Sequence, residues 1–201
     1  MTEALDNIRT SYDTVATSYA ERVVEGPEWE VAAFDHLIRP AAGRPILDAG
    51  CGPGRTTALL TERSHPTDSV VVGLDLSPGM IGIARRSHPE LDFRVGSMTA
   101  LDFPDEFFGG VLSWWSIIHL PRELVPVALG EFYRVLAPGG VLLLGFHLGE
   151  GSTHKTSGYG GLAMDVQVHR WRPEELVEKA VAVGFTPCQT DLPEDCVVVG
   201  K

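Results

Sequence analysis

The run Pro45-Ile46-Leu47-Asp48-Ala49-Gly50-Cys51-Gly52-Pro53-Gly54-Arg55-Thr56-Thr57 constrains this chain more than any other feature. A short apolar stretch ends in an acidic residue, three glycines follow at alternate positions, and a helix-compatible run comes next. Glycine lets the backbone turn sharply, and its missing side chain leaves room for a ligand to lie against the main chain. Twenty-five residues after Gly50, a second apolar run, Val70-Val71-Val72-Gly73-Leu74-Asp75, also ends in a carboxylate. Strand, glycine loop, helix, strand, acid is how an open α/β sheet holds a ribose-bearing cofactor.

The rest of the chain extends that unit. Leu5, Ile8, Tyr12, Val15, Tyr19 and Val23 recur every three or four residues, which predicts an N-terminal helix, with Asp13 a candidate cap for a second piece of it. Gly26-Pro27 breaks the pattern, and Val31, Phe34, Leu37 and Ile38 mark the buried face of a short helix. Strands are expected near 45–50, 70–75, 91–95, 110–115 and 140–147, and helices near 54–63, 78–87 and 122–136. Such alternation means a parallel sheet with helices on both faces. Ala137-Pro138-Gly139-Gly140 reads as a turn that stops the third of these helices. Residues 149–161 hold five glycines with Ser, Thr and Lys, which predicts an irregular, mobile loop. Pro173 opens a last helix, Gly184 ends it, and strands near 184–189 and 194–200 are joined too closely to pair other than antiparallel. The fold class is therefore α/β: a Rossmann-like, doubly wound seven-stranded sheet, mostly parallel, with an antiparallel C-terminal hairpin and an N-terminal helical cap. The whole of 1–201 forms one domain, with 1–40 as the cap and 148–172 as a flexible segment on the substrate side.

Composition excludes several classes. With 16 basic against 27 acidic residues the formal net charge is −11. That balance argues against nucleic acid and anionic membranes, and it favours a neutral or cationic small molecule. No apolar run approaches the roughly 18 to 20 residues that span a bilayer. Met1–Asp6 lacks the basic segment and apolar core of a secretory signal. Cys51, Cys188 and Cys196 show no metal-ligand spacing and leave an odd count, which fits a reduced cytoplasmic setting with no metal.

The loop separates two cofactor classes. Nicotinamide dinucleotides take Gly-x-Gly-x-x-Gly. Here the spacing is Gly-x-Gly-x-Gly, preceded by Asp48, and it matches motif I of the class I S-adenosylmethionine (SAM) methyltransferases. The chain as a whole resembles small bacterial members of that family, of the quinone-biosynthesis and natural-product type. The resemblance implies SAM as cofactor and S-adenosylhomocysteine (SAH) as product. It assigns Asp48, Gly50, Cys51, Gly52 and Gly54 to motif I, and Asp75 to the ribose hydroxyls. Leu76, Met80, Ser97 and Met98 are assigned to the adenine, and Ser113 and Trp114 to the sulfonium. Tyr12 and Tyr19, in Tyr-Asp-Thr-Val-Ala-Thr-Ser-Tyr, are placed over the methionine end. Many relatives carry Asp where this chain has Ser97. A structural role competes with each assignment: Tyr12, Tyr19 and Met80 as core, and Asp75 as a helix cap.

SAM carries its methyl already activated, so the protein positions an acceptor and, where necessary, removes a proton. The acceptor belongs at the carboxyl ends of the strands, where His119 and His147 emerge as candidate bases, against structural roles in shaping the pocket. Trp114, Trp115 and Tyr159 are candidate aromatic walls. The segment Ser113-Trp114-Trp115-Ser116 differs from the Asn/Asp-Pro-Pro-Tyr of amide methyltransferases. The expected activity is methyl transfer to O, N or C of a small molecule. The rival is a SAM-binding protein that no longer methylates and serves as a regulatory partner or a cyclase. So small a cap also raises the expectation that a second subunit, in a homodimer, completes the pocket.

Overall fold

A computed structural model of the chain describes residues 3–201 except Val24, Glu28 and 66–68. Positions 1, 2, 24 and 28 of the expected cap thus lie outside the described residues. The elements are α1 (Glu3–Arg22), α2 (Glu30–Ala41), β1 (Ile46–Ala49), α3 (Arg55–Ser64), β2 (Val71–Asp75), α4 (Pro78–Ser87), β3 (Asp92–Val95) and β4 (Phe108–Trp114). Then come α5 (Val125–Val135), β5 (Leu136–Gly145), β6 (His147–Leu148), β7 (Ser152–Gly158), β8 (Leu162–Trp171), α6 (Pro173–Ala182), β9 (Thr186–Pro187) and β10 (Cys196–Gly200).

Seven strands form one sheet in the order β3-β2-β1-β4-β5-β10-β9. The first five are mutually parallel, and β10 runs antiparallel to both β5 and β9. This is the expected fold class. The chain reverses direction across the sheet between β1 and β4, and crevices for ligands open at the strand ends there. Successive residues feed opposite faces, as a strand's two-residue period requires. Leu47, Leu142, Leu144, Val197 and Val199 join α5 and α6 in one core. Ile46, Leu143, Val198 and Cys196 join α2 and α3 in the other. With both faces covered, β4 is buried along its whole length.

Four expectations need correction. First, residues 149–161 are not an irregular loop: β7 and β8 pair antiparallel, and β6 adds to β8. Met164 and Val166 of β8 bury against Val15 of α1, while the polar residues of β7 remain largely in water. Gly160 and Gly161, at φ +99° and +83°, supply the tight turn. Second, α1 is a single helix, and Asp13 caps another one. Its Oδ1 accepts from Ser77 Oγ at 2.6 Å and from Gly79 N at 2.8 Å at the start of α4. Third, Pro138-Gly139-Gly140 lies inside β5, as a register shift against β4, because the strand resumes directly from α5 at Leu136. Fourth, α5 begins at Val125, which puts Pro126 in its first turn, where no amide hydrogen is needed.

Candidate active site

A cavity opens between the C-terminal ends of β1, β2 and β4 and the inner face of α1. Its wall includes Gly50, Gly52, Asp75, Met80, Tyr12 and His119. Gly50 and Gly52 have φ of +89° and +55°. A Cβ on Gly50 would strike Ser116, whereas one on Gly52 would meet nothing within 4 Å, so the loop opens there toward free space. Gly54, at φ +94°, serves packing instead: its Cβ would press on Phe93 and Ala84.

Asp75 ends β2 on the cavity wall. Its Oδ2 accepts from Gly52 N at 2.9 Å and its Oδ1 from Ser77 N at 2.8 Å. A carboxylate has about four lone-pair positions, so each oxygen keeps capacity for a further donor. Burial raises its pKa, and the two N–H donors oppose that rise. Leu76, Met80, Ser97 and Met98 line the same cavity. Ser97 Oγ is engaged locally with Thr99 Oγ1 at 2.7 Å.

Two motif residues sit behind the wall. Asp48 is fully buried beneath the loop, and its Oδ2 accepts from Thr56 and Thr57 hydroxyls at 2.7 Å each. It fixes α3 to β1. Cys51 packs on Ile81, Ala84 and Phe93, and burial pushes its thiol well above the usual range, which suits packing and not nucleophilic attack. Ser113 is likewise buried: its hydroxyl meets Ser116 Oγ at 2.8 Å, and Ser116 donates to Ala49 O at 2.7 Å.

Trp114 does reach the cavity, with its Nε1 donating to Glu30 Oε1 at 2.6 Å. Glu30, only 2% exposed, also takes both guanidinium nitrogens of Arg55 at 2.6 Å, which ties α2 to the start of α3. Trp115 lines the cavity at φ +45°, an unusual conformation for a bulky side chain.

Tyr12, Tyr19 and His119 come together on the cover side. Tyr12 Oη lies 2.7 Å from His119 Nε2, and Tyr19 packs edge-on against Tyr12 and, tilted, against Tyr159 at 4.6 Å between ring centroids. His119 Nδ1 lies 3.3 Å from the Gln167 carbonyl of β8. A carbonyl only accepts, so Nδ1 carries the hydrogen and Nε2 accepts from the tyrosine. Burial lowers the His119 pKa to about 4 and raises Tyr12 well above 10.0. His147 stands apart, exposed at the hairpin sheet and outside this cavity. Leu5, Ile8, Leu74, Ser116 and Leu120 complete the wall without having been singled out. Ile8 carried a signal, lying one helical turn from Tyr12; Ser116 carried none.

Residues 46–140 match the family described as a methyltransferase domain. The demethylmenaquinone methyltransferase of Symbiobacterium thermophilum is 35% identical over 146 residues, covering 66% of this chain and 56% of its own length. The trans-aconitate 2-methyltransferase of Methylobacterium nodulans is 34% identical over 132 residues, covering 57% of this chain and 48% of its own. This chain thus spans about half the length of those curated relatives. Among solved structures, the DhpI–SAH complex matches with a TM-score of 0.74 at 21% identity, covering 98% of this chain and 95% of that one, a likeness of fold. By sequence and by fold, the chain belongs to the class I SAM-dependent methyltransferases.

Proposed function

We propose that the cavity binds SAM and that the chain transfers its methyl group to O, N or C of a small-molecule acceptor. The observation that carries this reading is Asp75, a carboxylate fixed on the cavity wall by two backbone N–H groups with acceptor capacity to spare. Paired ribose hydroxyls are the donors it lacks. No Lys or Arg is among the residues lining the cavity, so a pyrophosphate would meet a carboxylate without compensation. Leu76, Met80 and Met98 offer apolar surface to a flat base, and Gly52 leaves the main chain open to close approach.

When bound, SAM supplies an activated methyl, and the protein supplies position. Tyr12 would present its hydroxyl oxygen to the acceptor, held in place by the hydrogen bond it donates to His119 Nε2; with the imidazole lowered to about 4 and the phenol raised well above 10.0, that proton stays on Tyr12. In this arrangement His119 acts through Tyr12, and His147 has no part.

Calorimetric titration with SAM, SAH and NAD tests the cofactor. Binding of SAM and SAH without NAD is expected. Asp75→Ala should weaken SAH by about 1.5–3 kcal/mol, the cost of losing charge-assisted hydrogen bonds. Near-normal SAH affinity in that variant would overturn the ribose assignment.

A further inference from the structure

A second recess lies on the sheet formed by β6, β8 and β7. Its walls include His147, Thr153, Lys155, Ser157, Val168 and Arg170, and no Asp or Glu lines it. In a chain with a formal charge of −11, an acid-free recess holding two full cations is a strong local departure from composition. Neither cation is neutralised by an ion pair among the described residues. Lys155 Nζ lies 4.0 Å from the centroid of the Tyr159 ring, and the Arg170 guanidinium donates to the Leu148 carbonyl at 3.2 Å. Of the titratable groups close by, His154 is held by Asp165 at 2.7 Å, and Asp195 acts on His147 from the turn before β10.

The recess is joined to the cofactor cavity through a short run of rings. The ring under Lys155 is Tyr159, which packs on Tyr19 at 4.6 Å, and Tyr19 lines the cavity. From β8, the Gln167 carbonyl holds His119 on the cavity wall, next in sequence to Val168 of the recess. A molecule held by Lys155 is therefore one ring, that of Tyr159, away from Tyr19 on the cavity wall. A half-buried ammonium on an aromatic face has shed part of its water without gaining a counter-charge, so an incoming oxyanion meets a partly desolvated partner.

We propose that this recess binds the anionic end of the acceptor: an oxyanion, carboxylate or phosphate, held by Lys155 and Arg170 with the hydroxyls of Thr153 and Ser157 alongside. The acceptor is then a small acid, the reverse of the neutral or cationic molecule that the net charge alone favours. His147 becomes a wall of the acceptor site and not a base. The assignment rests on the methyltransferase reading for its meaning, though not for its test.

The test is titration of the full chain, with and without saturating SAH, using three probes. They are tricarballylate, its uncharged triamide and inorganic phosphate. Tricarballylate or phosphate should bind and the triamide should not, and whichever anion binds more tightly identifies the oxyanion. Lys155→Gln and Arg170→Gln should each weaken the anion at least tenfold, and Lys155→Arg should restore most of the Lys155→Gln loss. SAH affinity, unfolding temperature and circular dichroism check that each variant is folded. Equal binding of acid and triamide, no anion binding, or anion binding unchanged in the double variant overturns the proposal. Absence of SAH binding would instead overturn the cofactor reading, and anion binding measured without SAH would still judge the recess.

Discussion

Both ring nitrogens of His119 are committed, Nδ1 to the Gln167 carbonyl and Nε2 to the Tyr12 hydroxyl, so the imidazole is held neutral in one tautomer. Its pKa falls from 6.5 to about 4, chiefly through burial, with Lys155, His147 and His169 adding repulsion. Between those values the unfolded chain binds the extra proton, so this group's contribution to stability is lost as pH falls from 6.5 toward 4, by no more than about 3 kcal/mol. Asp48 acts in the opposite sense. Burial raises it from 3.8 to about 6, so its contribution is present below 3.8 and lost as pH rises through 6. The two partly cancel in the intact protein, and a substitution separates them. In denaturant unfolding from pH 7 to pH 4, the wild type should lose more stability than His119→Asn; parallel curves would refute the neutral, doubly bonded histidine. At this scale the sequence was legible where function depends on near neighbours, as in the glycine loop and Asp75. It was opaque where function depends on a pair such as Tyr12 and His119, 107 positions apart, because no local pattern records a hydrogen bond between distant elements.

Helix α1 is the element on which the cavity depends, since Leu5, Ile8, Tyr12 and Tyr19 on one face of it line the wall. Its registry is fixed by polar contacts. Asp13 reaches the first turn of α4, where Ser77 also caps Met80 N at 3.0 Å, and Ser11 Oγ accepts from Asp165 N of β8 at 2.7 Å. Asp13→Ala should cost about 1–2 kcal/mol, the usual price of a lost helix cap, measured as a lower urea midpoint at unchanged slope. SAH affinity should fall as well, because the same contact sets where Tyr12 and Tyr19 lie. An unchanged midpoint would show that Asp13 is a bystander. The elements most visible in the sequence were those whose periodicity reports burial: the apolar strands of the main sheet and the helices between them. Strand β7 was invisible for the converse reason. Ser152 to Gly158 are largely exposed, so the segment shows no apolar alternation, and its glycines belong to the turn that makes it a hairpin.

The whole molecule divides into a sheet with two large cores and a cover made of α1 and the β7–β8 hairpin. The cover's own core is small: Val15, Met164 and Val166, flanked by Ile8 and three tyrosines. It is attached to the rest by hydrogen bonds, the Asp13 cap and the Tyr12–His119 contact among them, and at its ends by Leu5 and Trp171, which bury in the core of the sheet. Segments with little buried apolar surface open at lower free energy than the cores they lie on. The cavity is bounded by α1 on one side and by the glycine loop on the other, so a ligand seated in it lies directly against the cover. Binding should therefore stabilise the cover far more than the sheet. In hydrogen exchange, saturating SAH should slow the amides of α1 and of 152–171 at least tenfold, on a time scale at which those of β1, β4 and β5 have not yet exchanged with or without the ligand. If, without SAH, the amides of α1 and of 152–171 were already as slow as those of β1, β4 and β5, the cover would open only with global unfolding. No slowing in α1, with SAH shown to be bound, would mean that the ligand is held without it and that Tyr12 and Tyr19 are core aromatics after all.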